Sequence, residues 1–446
     1  MLQLDYEHAG KVIKSKRKEL GLRQSDLVDD VIKLHTIRKA EKGEMVSEIV
    51  LKEICRKLRL DLTELSCQAQ EEKCRKADTK LTLLAIEHDI DLVGPDQALE
   101  SLRSLTSKTD QPWVQAYTYF LKGLCYSRKR QWLKAQNHLH KVISLSPQIP
   151  EAESSNLKAA ACYELSRCSY YLNNLEQALL YVEKGLDCFL PDGDMPHIVH
   201  YLKIGQIIYL EKMDRNEEAL NYLDELWQEF ESIRVPDIHL TMYEVRACLM
   251  IKHGLYENAA RICMEALEWS RLYGNVDRSF ELWTTLGEAC LGIGDLAKAE
   301  RCFLMALKLE KKITRKHLLV STHTKLGLLY LKTGQTGDAE KILAKAVQLG
   351  KKTRNDFRHC EALIFLGDCH VRQDQTDKAM QCYRQALSIA EKHRLKEQEQ
   401  KILVKLARCC EKDDPKTSEK YKERFFRLHV QLIEGGEEDE AHRALH

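Results

Sequence analysis

Residues 283–312 read WTTLGEACLGIGDLAKAERCFLMALKLEKK. Trp283, Leu286 and Gly287 fall on one face of a helix, Gly294-Asp295 marks a turn, and Ala299, Phe303 and Ala306 share a face of a second helix. Gly287 has no side chain, so a neighbouring helix can pack closely against it. Forty residues downstream the marks return as Gly327, Ala339 and Ala346, and again as Gly367, Ala379 and Ala386. Upstream they return as Ala247, Ala259 and Ala266. Earlier copies drift in spacing but keep the central alanine: Ile207 with Ala219, Ser166 with Ala178, Gly123 with Ala135, and most weakly Ile86 with Ala98. A last unit, 407–426, carries Glu419 in place of the alanine, as suits an end unit that covers the array on one side only.

This spacing resembles the tetratricopeptide pattern Trp-x2-Leu-Gly followed by Ala-x3-Phe. The resemblance implies an all-α chain whose larger part is a right-handed α-solenoid of tetratricopeptide-like repeats over 81–428. A solenoid buries its apolar faces between neighbours, so 446 residues need no single large core. Composition agrees: 31% of residues are charged, and there are only 8 prolines.

Charge is unevenly placed. Residues 1–60 hold 14 Lys and Arg against 10 Asp and Glu, a balance of +4, and the remainder holds 55 against 58, or −3. A basic head on a near-neutral body fits nucleic-acid contact at one end. The 16 cysteines are scattered through helical patterns without a CxxC pair, which points to thiols of a reducing compartment. No apolar run is long enough for a membrane span and no signal-peptide core opens the chain, so a cytoplasmic protein is expected.

The head, 1–65, has its own pattern. A first helix over 9–19 has Val12, Ile13 and Leu20 as apolar points and Gly21 as a left-handed cap. A second helix opens at Gln24, a third runs 34–41 before Gly43, a fourth spans 45–59 and a fifth 61–65, with Ile49, Ile54, Leu58 and Leu62 closing the core. Leu20-Gly21-Leu22, Gln24, Leu27, Ile37, Glu41-Lys42-Gly43, Leu51 and Ile54 resemble the repressor-type helix-turn-helix of the Cro and lambda repressor family. That family usually has Gly in the turn between helices two and three; this chain has Val31-Ile32 and is one residue shorter there, a departure shared with peptide-regulated bacterial transcription factors such as PlcR.

The resemblance implies that the third helix enters the major groove of double-stranded DNA. Lys33, His35, Thr36, Arg38 and Lys39 are then the exposed polar positions, with Arg38 or Lys39 able to donate to guanine. Gln24 is placed to meet a phosphate. A solvated basic face is the plainer reading of the same residues. Residues 66–80 are polar without Gly or Pro and read as a connecting helix. The end, 429–446, carries an acidic tail expected to fray.

Counting from the small residue of each unit places certain side chains on the inner wall of the solenoid. Tyr163, Arg167, Tyr170, Tyr171, Tyr201, Glu211, Glu244 and Lys252 are the candidates for gripping a short extended peptide: tyrosines supply apolar area and Arg167 can clamp a carboxylate. Tyrosines at helical spacing also serve packing between repeats. No phosphate loop, dinucleotide fingerprint, HExxH or GxSxG motif is present, and neither Cys409-Cys410, His138 with His140, nor His359 with Cys360 has metal-ligand spacing, so no cofactor, no metal and no enzyme activity are expected.

Head and repeats together resemble the peptide-sensing regulators of Gram-positive bacteria and their phages, the Rap, Rgg, NprR, PlcR, PrgX and AimR group. That resemblance implies a cytoplasmic homodimer, a short signalling peptide in the groove, and DNA binding that changes when the peptide arrives. Two other readings stay open: a DNA-binding adaptor whose repeats dock a protein, and a regulator that sequesters a phosphorelay protein.

Overall fold

A computed structural model of the chain describes residues 6–106, 111–149, 155–353, 355–393 and 395–443. All regular structure among them is helical, and the chain divides into two compact units, Met1–Lys129 and Arg130–His446.

The first unit begins with α1 (Tyr6–Glu19), a single 3₁₀ turn (Gln24–Leu27), α2 (Leu34–Glu41) and α3 (Glu48–Leu58). Ile13, Leu27, Ile32, Ile37, Leu51, Ile54 and Leu58 close a small core. The expected second helix is only that one turn. Asp29 explains why: its Oδ1 accepts from the Val31 and Ile32 amides at 2.8 and 2.7 Å, turning the chain where a helix would continue. The carboxylate is held at about 2, first by Lys57 and then by the Ile32 amide, so a charged side-chain turn stands where the resembled family has glycine. Gly21 (φ +68°) ends α1 in the left-handed conformation, as expected.

Two apolar assignments differ from expectation. Helix α3 starts at Glu48 and buries Leu51, Ile54, Cys55 and Leu58, a one-face spacing that leaves Ile49 pointing outward, 74% exposed. Leu20 lies just past α1 and is also exposed. The side chain of Leu62 is outside the described residues. The expected fifth helix is no separate element: α4 (Leu62–Leu92) runs unbroken through 66–80 and on past Ile86, and α5 (Pro95–Thr106) and α6 (Pro112–Arg128) complete the unit.

The second unit opens with α7 (Trp132–Leu145) and continues as helix pairs. They are α8 (Leu157–Tyr171) with α9 (Leu175–Asp187), α10 (Ile198–Lys212) with α11 (Asn216–Gln228), α12 (Pro236–Lys252) with α13 (Tyr256–Leu272), and α14 (Val276–Ile293) with α15 (Leu296–Lys308). Then come α16 (Leu318–Lys332) with α17 (Thr336–Thr353), α18 (Asp356–Arg372) with α19 (Thr376–Lys392), and α20 (Lys396–Cys410) with α21 (Pro415–Arg443). The repeat marks are where these pairs touch. Ala178, Ala219, Ala259, Ala299, Ala339 and Ala379 are all 0% exposed. Gly287, Gly327 and Gly367 each face one large side chain of their partner helix, namely Phe303, Leu343 and Tyr383.

In the last pair the small buried residue is Ser418, one position before the exposed Glu419, and its hydroxyl donates to the Ala407 carbonyl at 2.8 Å. Helix α21 runs to Arg443, so the acidic stretch from 434 has a helical backbone, while residues 444–446 lie outside the described residues. No described helix is long and apolar enough to cross a membrane.

Candidate peptide groove and DNA-reading face

The first helices of the repeats line one wall of the second unit, and α8, α10, α12, α14, α16 and α18 converge there on a half-open cavity of about 190 Å³. Seven of the eight residues chosen from the repeat spacing line it: Tyr163, Arg167, Tyr170, Tyr171, Tyr201, Glu211 and Glu244. Lys252 does not. Its ammonium is turned into the wall, held by Glu211 Oε1 at 2.9 Å, Asp214 at 3.2 Å and Asn216 at 3.1 Å.

The aromatic side of the cavity is built by packing between repeats. Tyr163 and Tyr201 meet at 5.3 Å and Tyr170 and Tyr209 at 5.5 Å, joining α8 to α10, while Tyr171 stacks on Trp132 at 4.5 Å. Across the groove Tyr171 also meets His317 edge-on at 6.3 Å, and Arg130 Nη1 donates to the Thr353 carbonyl at 3.3 Å. Arg167 is already engaged: Glu164, one turn back on the same helix, accepts from it at 2.7 Å. Its remaining guanidinium face lies 5.8 Å from the Tyr163 ring centre.

Charges in the wall are mostly paired. Burial pulls the Glu211 carboxyl up, but Lys212 and Lys252 pull it further down, leaving it ionised below its usual range. Glu244 is different: burial raises its pKa, the nearby Glu281 adds to this, and no cation pairs with it among the described residues; only the Cys248 thiol donates to it, at 3.4 Å.

At the leading ends of the first helices lies a ladder of which the repeat spacing finds only Glu281 and misses Asp237, Asp277, Arg278 and Arg315. Asp237 takes a two-point grip from Arg278 of the next repeat, at 2.9 and 3.1 Å, and Arg278 also donates to Glu281 at 3.0 Å. One repeat on, Arg315 donates to Glu281 at 2.8 Å and to Asp277 at 3.4 Å. Burial opposes the Asp237 charge, yet Arg278 keeps its pKa below the ordinary value. One repeat further the pattern changes, because His317 stands forty residues after Asp277 and Ser321 forty after Glu281. Arg358 therefore donates to a hydroxyl, Ser321 Oγ at 2.8 Å, and forms no ion pair among the described residues, though Glu361 one turn on feels its charge. His317, 7% exposed, is pushed to about 3 by burial and then by Arg358, Arg130 and Arg315, so it is neutral. A signal existed: Asp237 and Asp277, and Arg278 and Arg358, sit at whole-repeat spacings.

A wider, more open depression of about 580 Å³ lies along the turns that join α18 to α19 and α20 to α21. Its lining is polar surface such as Asp374, Lys378 and Asp414, without aromatics, so the aromatic and charged groove has the better claim to a ligand. No group of described His, Cys, Asp and Glu residues could hold a metal ion.

In the head, Ile37 and Ala40 turn α2 into the core and leave His35, Arg38, Lys39 and Lys42 on the opposite, exposed face. Lys33 at the N-cap is exposed as well, and Thr36, half-buried, contacts the His35 ring at 3.3 Å. Gln24 is differently occupied: its amide donates to Glu41 Oε2 at 2.7 Å, and Glu41 is gripped by Arg17 at 2.5 Å. Burial raises the Glu41 carboxyl, and the hydrogen bonds from Arg17 and Gln24 overcome that and hold it below its usual value. This buried trio pins α1 to α2, so Gln24 works inside the fold.

Residues 318–392 match the family model described as tetratricopeptide repeat. A Rap protein complexed with Competence and Sporulation Factor superposes with a TM-score of 0.60 at 12% identity, covering 80% of this chain and 99% of its own. NprR in complex with its cognate peptide NprX gives 0.59 at 14%, covering 80% and 98%. The apo form of the quorum sensor NprR from B. thuringiensis gives 0.57 at 14%, covering 84% and 99%. No curated protein matches this chain in sequence. At such identities the likeness is one of fold: the chain has the tetratricopeptide-repeat architecture shared by the Rap protein and NprR.

Proposed function

We propose that this chain is a sequence-specific DNA-binding regulator whose repeat groove takes a short linear peptide, and that the bound peptide changes its affinity for DNA. Residues 1–65 act as the DNA-binding head, 66–80 as the connection, 81–428 as the sensing repeats and 429–446 as the closing end, in a cytoplasmic protein that works as a homodimer without catalysis. The observation that carries the reading is the convergence of Tyr163, Tyr170, Tyr171, Tyr201, Arg167 and Glu244 on one cavity in a fold whose solved examples include NprR bound to its cognate peptide.

Aromatic rings with a few placed charges suit an extended peptide, whose backbone is polar and whose side chains are not. At about 190 Å³ the cavity is smaller than the ~300 Å³ lower bound of small-molecule sites, so it receives one or two residues while the rest of the peptide runs along the wall. A peptide shifts a regulator only by binding one of its shapes better than another. Repeats that each rotate slightly against the next offer such shapes.

The test is hydrogen exchange on the full chain with pools of short randomised peptides. Protection concentrated on α8, α10 and α12 is expected. Protection confined to other helices, or none with any pool, would remove the groove as the peptide site.

A further inference from the structure

We propose that the groove contains an anion subsite formed by Arg358, beside His317 and Arg315, that takes a carboxylate of the bound peptide. The inference rests on the peptide reading above and names what the peptide must carry.

The argument comes from the ladder and its missing rung. In two successive repeats an arginine at the start of a first helix is neutralised by carboxylates of the repeat before it: Arg278 by Asp237, Arg315 by Asp277 and Glu281. At the next rung His317 and Ser321 stand where Asp277 and Glu281 stood; Arg358, eighty residues after Arg278, keeps beside it only Glu361, placed as Glu281 is to Arg278, and forms no ion pair with it among the described residues. Arg358 and His317 both line the cavity. The His317 side chain is more than nine-tenths buried and meets the Tyr171 ring edge-on. His317 is neutral beside Arg358, Arg315 and Arg130, and Glu361, one turn on from Arg358 in the same helix, is itself pulled toward its neutral form by burial.

A carboxylate entering here replaces the absent rung. Arg358 uses its Nε on Ser321, which leaves its terminal nitrogens to donate. His317 can donate one ring N–H to the same anion. The carboxylate can come from the C-terminus of the peptide or from an Asp or Glu side chain, the same chemistry from two sources.

The experiment uses the full chain and one randomised short-peptide pool made in three forms: free C-terminal acid without Asp or Glu, C-terminal amide with Asp and Glu, and C-terminal amide without them. Retention is read by mass spectrometry. Wild type should retain the third form about tenfold less than whichever of the first two supplies the acid. His317→Asp restores the rung seen in the two preceding repeats, so it should stay folded and weaken retention of the acid-bearing form about ten- to a hundredfold. Arg358→Gln should do the same, and Arg358→Lys should keep part of the binding. Equal retention of all three forms by wild type, or unchanged retention by His317→Asp, would overturn the subsite while leaving the peptide groove standing. If no form is retained, the peptide reading fails, and sodium sulfate decides the subsite alone. Thermal stabilisation of wild type by sulfate that is lost in His317→Asp would preserve an anion site, and equal or absent stabilisation in both would remove it.

Discussion

Gly287→Ala tests the packing rule on which every inner-wall assignment depends. A Cβ built on Gly287 would lie 2.6, 2.8 and 3.0 Å from Cε1, Cδ1 and Cζ of Phe303, closer than carbon atoms pack. The ring cannot swing aside, since Phe303 is 0% exposed in a core with Leu286, Ala299 and Cys302. Overpacking of this kind costs about 1–3 kcal/mol, and the better helix preference of alanine returns about 0.8–1 kcal/mol. The net expectation is a loss of roughly 1 kcal/mol. Gly337→Ala is the control: it is also helical, nothing lies within 4 Å of its added Cβ, and it should stabilise by up to about 1 kcal/mol. Urea midpoints followed by circular dichroism measure both. Combining Gly287→Ala with Phe303→Leu should cost less than the sum of the single changes, by about 1 kcal/mol or more. If Gly287→Ala raises the midpoint as Gly337→Ala does, the close approach does not exist and positions counted from it lose their basis.

Three further outcomes follow from named contacts. Glu41→Ala leaves Arg17 buried without its carboxylate and should cost the head about 3–5 kcal/mol, seen as faster hydrogen exchange over 6–60. Because the folded Glu41 pKa lies below its ordinary value of 4.5, the unfolded chain binds more protons there; the contribution is complete above that value and is lost as pH falls through the folded pKa, so acid should loosen the head of wild type more than that of Glu41→Gln. Arg38→Ala should reduce discrimination between operator and other DNA by about 1–3 kcal/mol without changing the melting temperature, and unchanged selectivity would move base reading to another residue. Arg167→Ala should weaken peptide retention while leaving DNA affinity at fixed salt alone, and equal loss of both would make Arg167 structural.

The sequence was most legible where one physical requirement repeats. Close helix pairing demands small residues at fixed intervals, so the alanines and glycines located the pairs, and counting from them found seven residues of one cavity. Legibility failed where the requirement was met by a different chemistry. Asp29 makes a turn with its side chain where glycine was sought, and Ser418 fills the space of an alanine one position early because its hydroxyl bonds to the backbone of α20. Gln24 looked like a phosphate contact because nothing local reveals that Glu41, seventeen residues on, takes its amide. The Asp–Arg ladder escaped because, apart from Glu281, which the repeat spacing does put on the inner wall, its members lie at the helix starts ahead of the counted positions. Arg278 and Arg358 occupy the same place in their repeats, yet only the fold shows that one is ion-paired and the other donates to a hydroxyl.

The most direct measurement is the affinity of the full chain for its operator, by fluorescence anisotropy at fixed ionic strength, with and without a saturating peptide recovered from the groove. A peptide that is sensed should change the dissociation constant by about tenfold, an ordinary coupling of 1–3 kcal/mol between two sites. The change should vanish in a variant that no longer retains the peptide. An operator affinity identical with and without the bound peptide would contradict the account, whatever the groove holds.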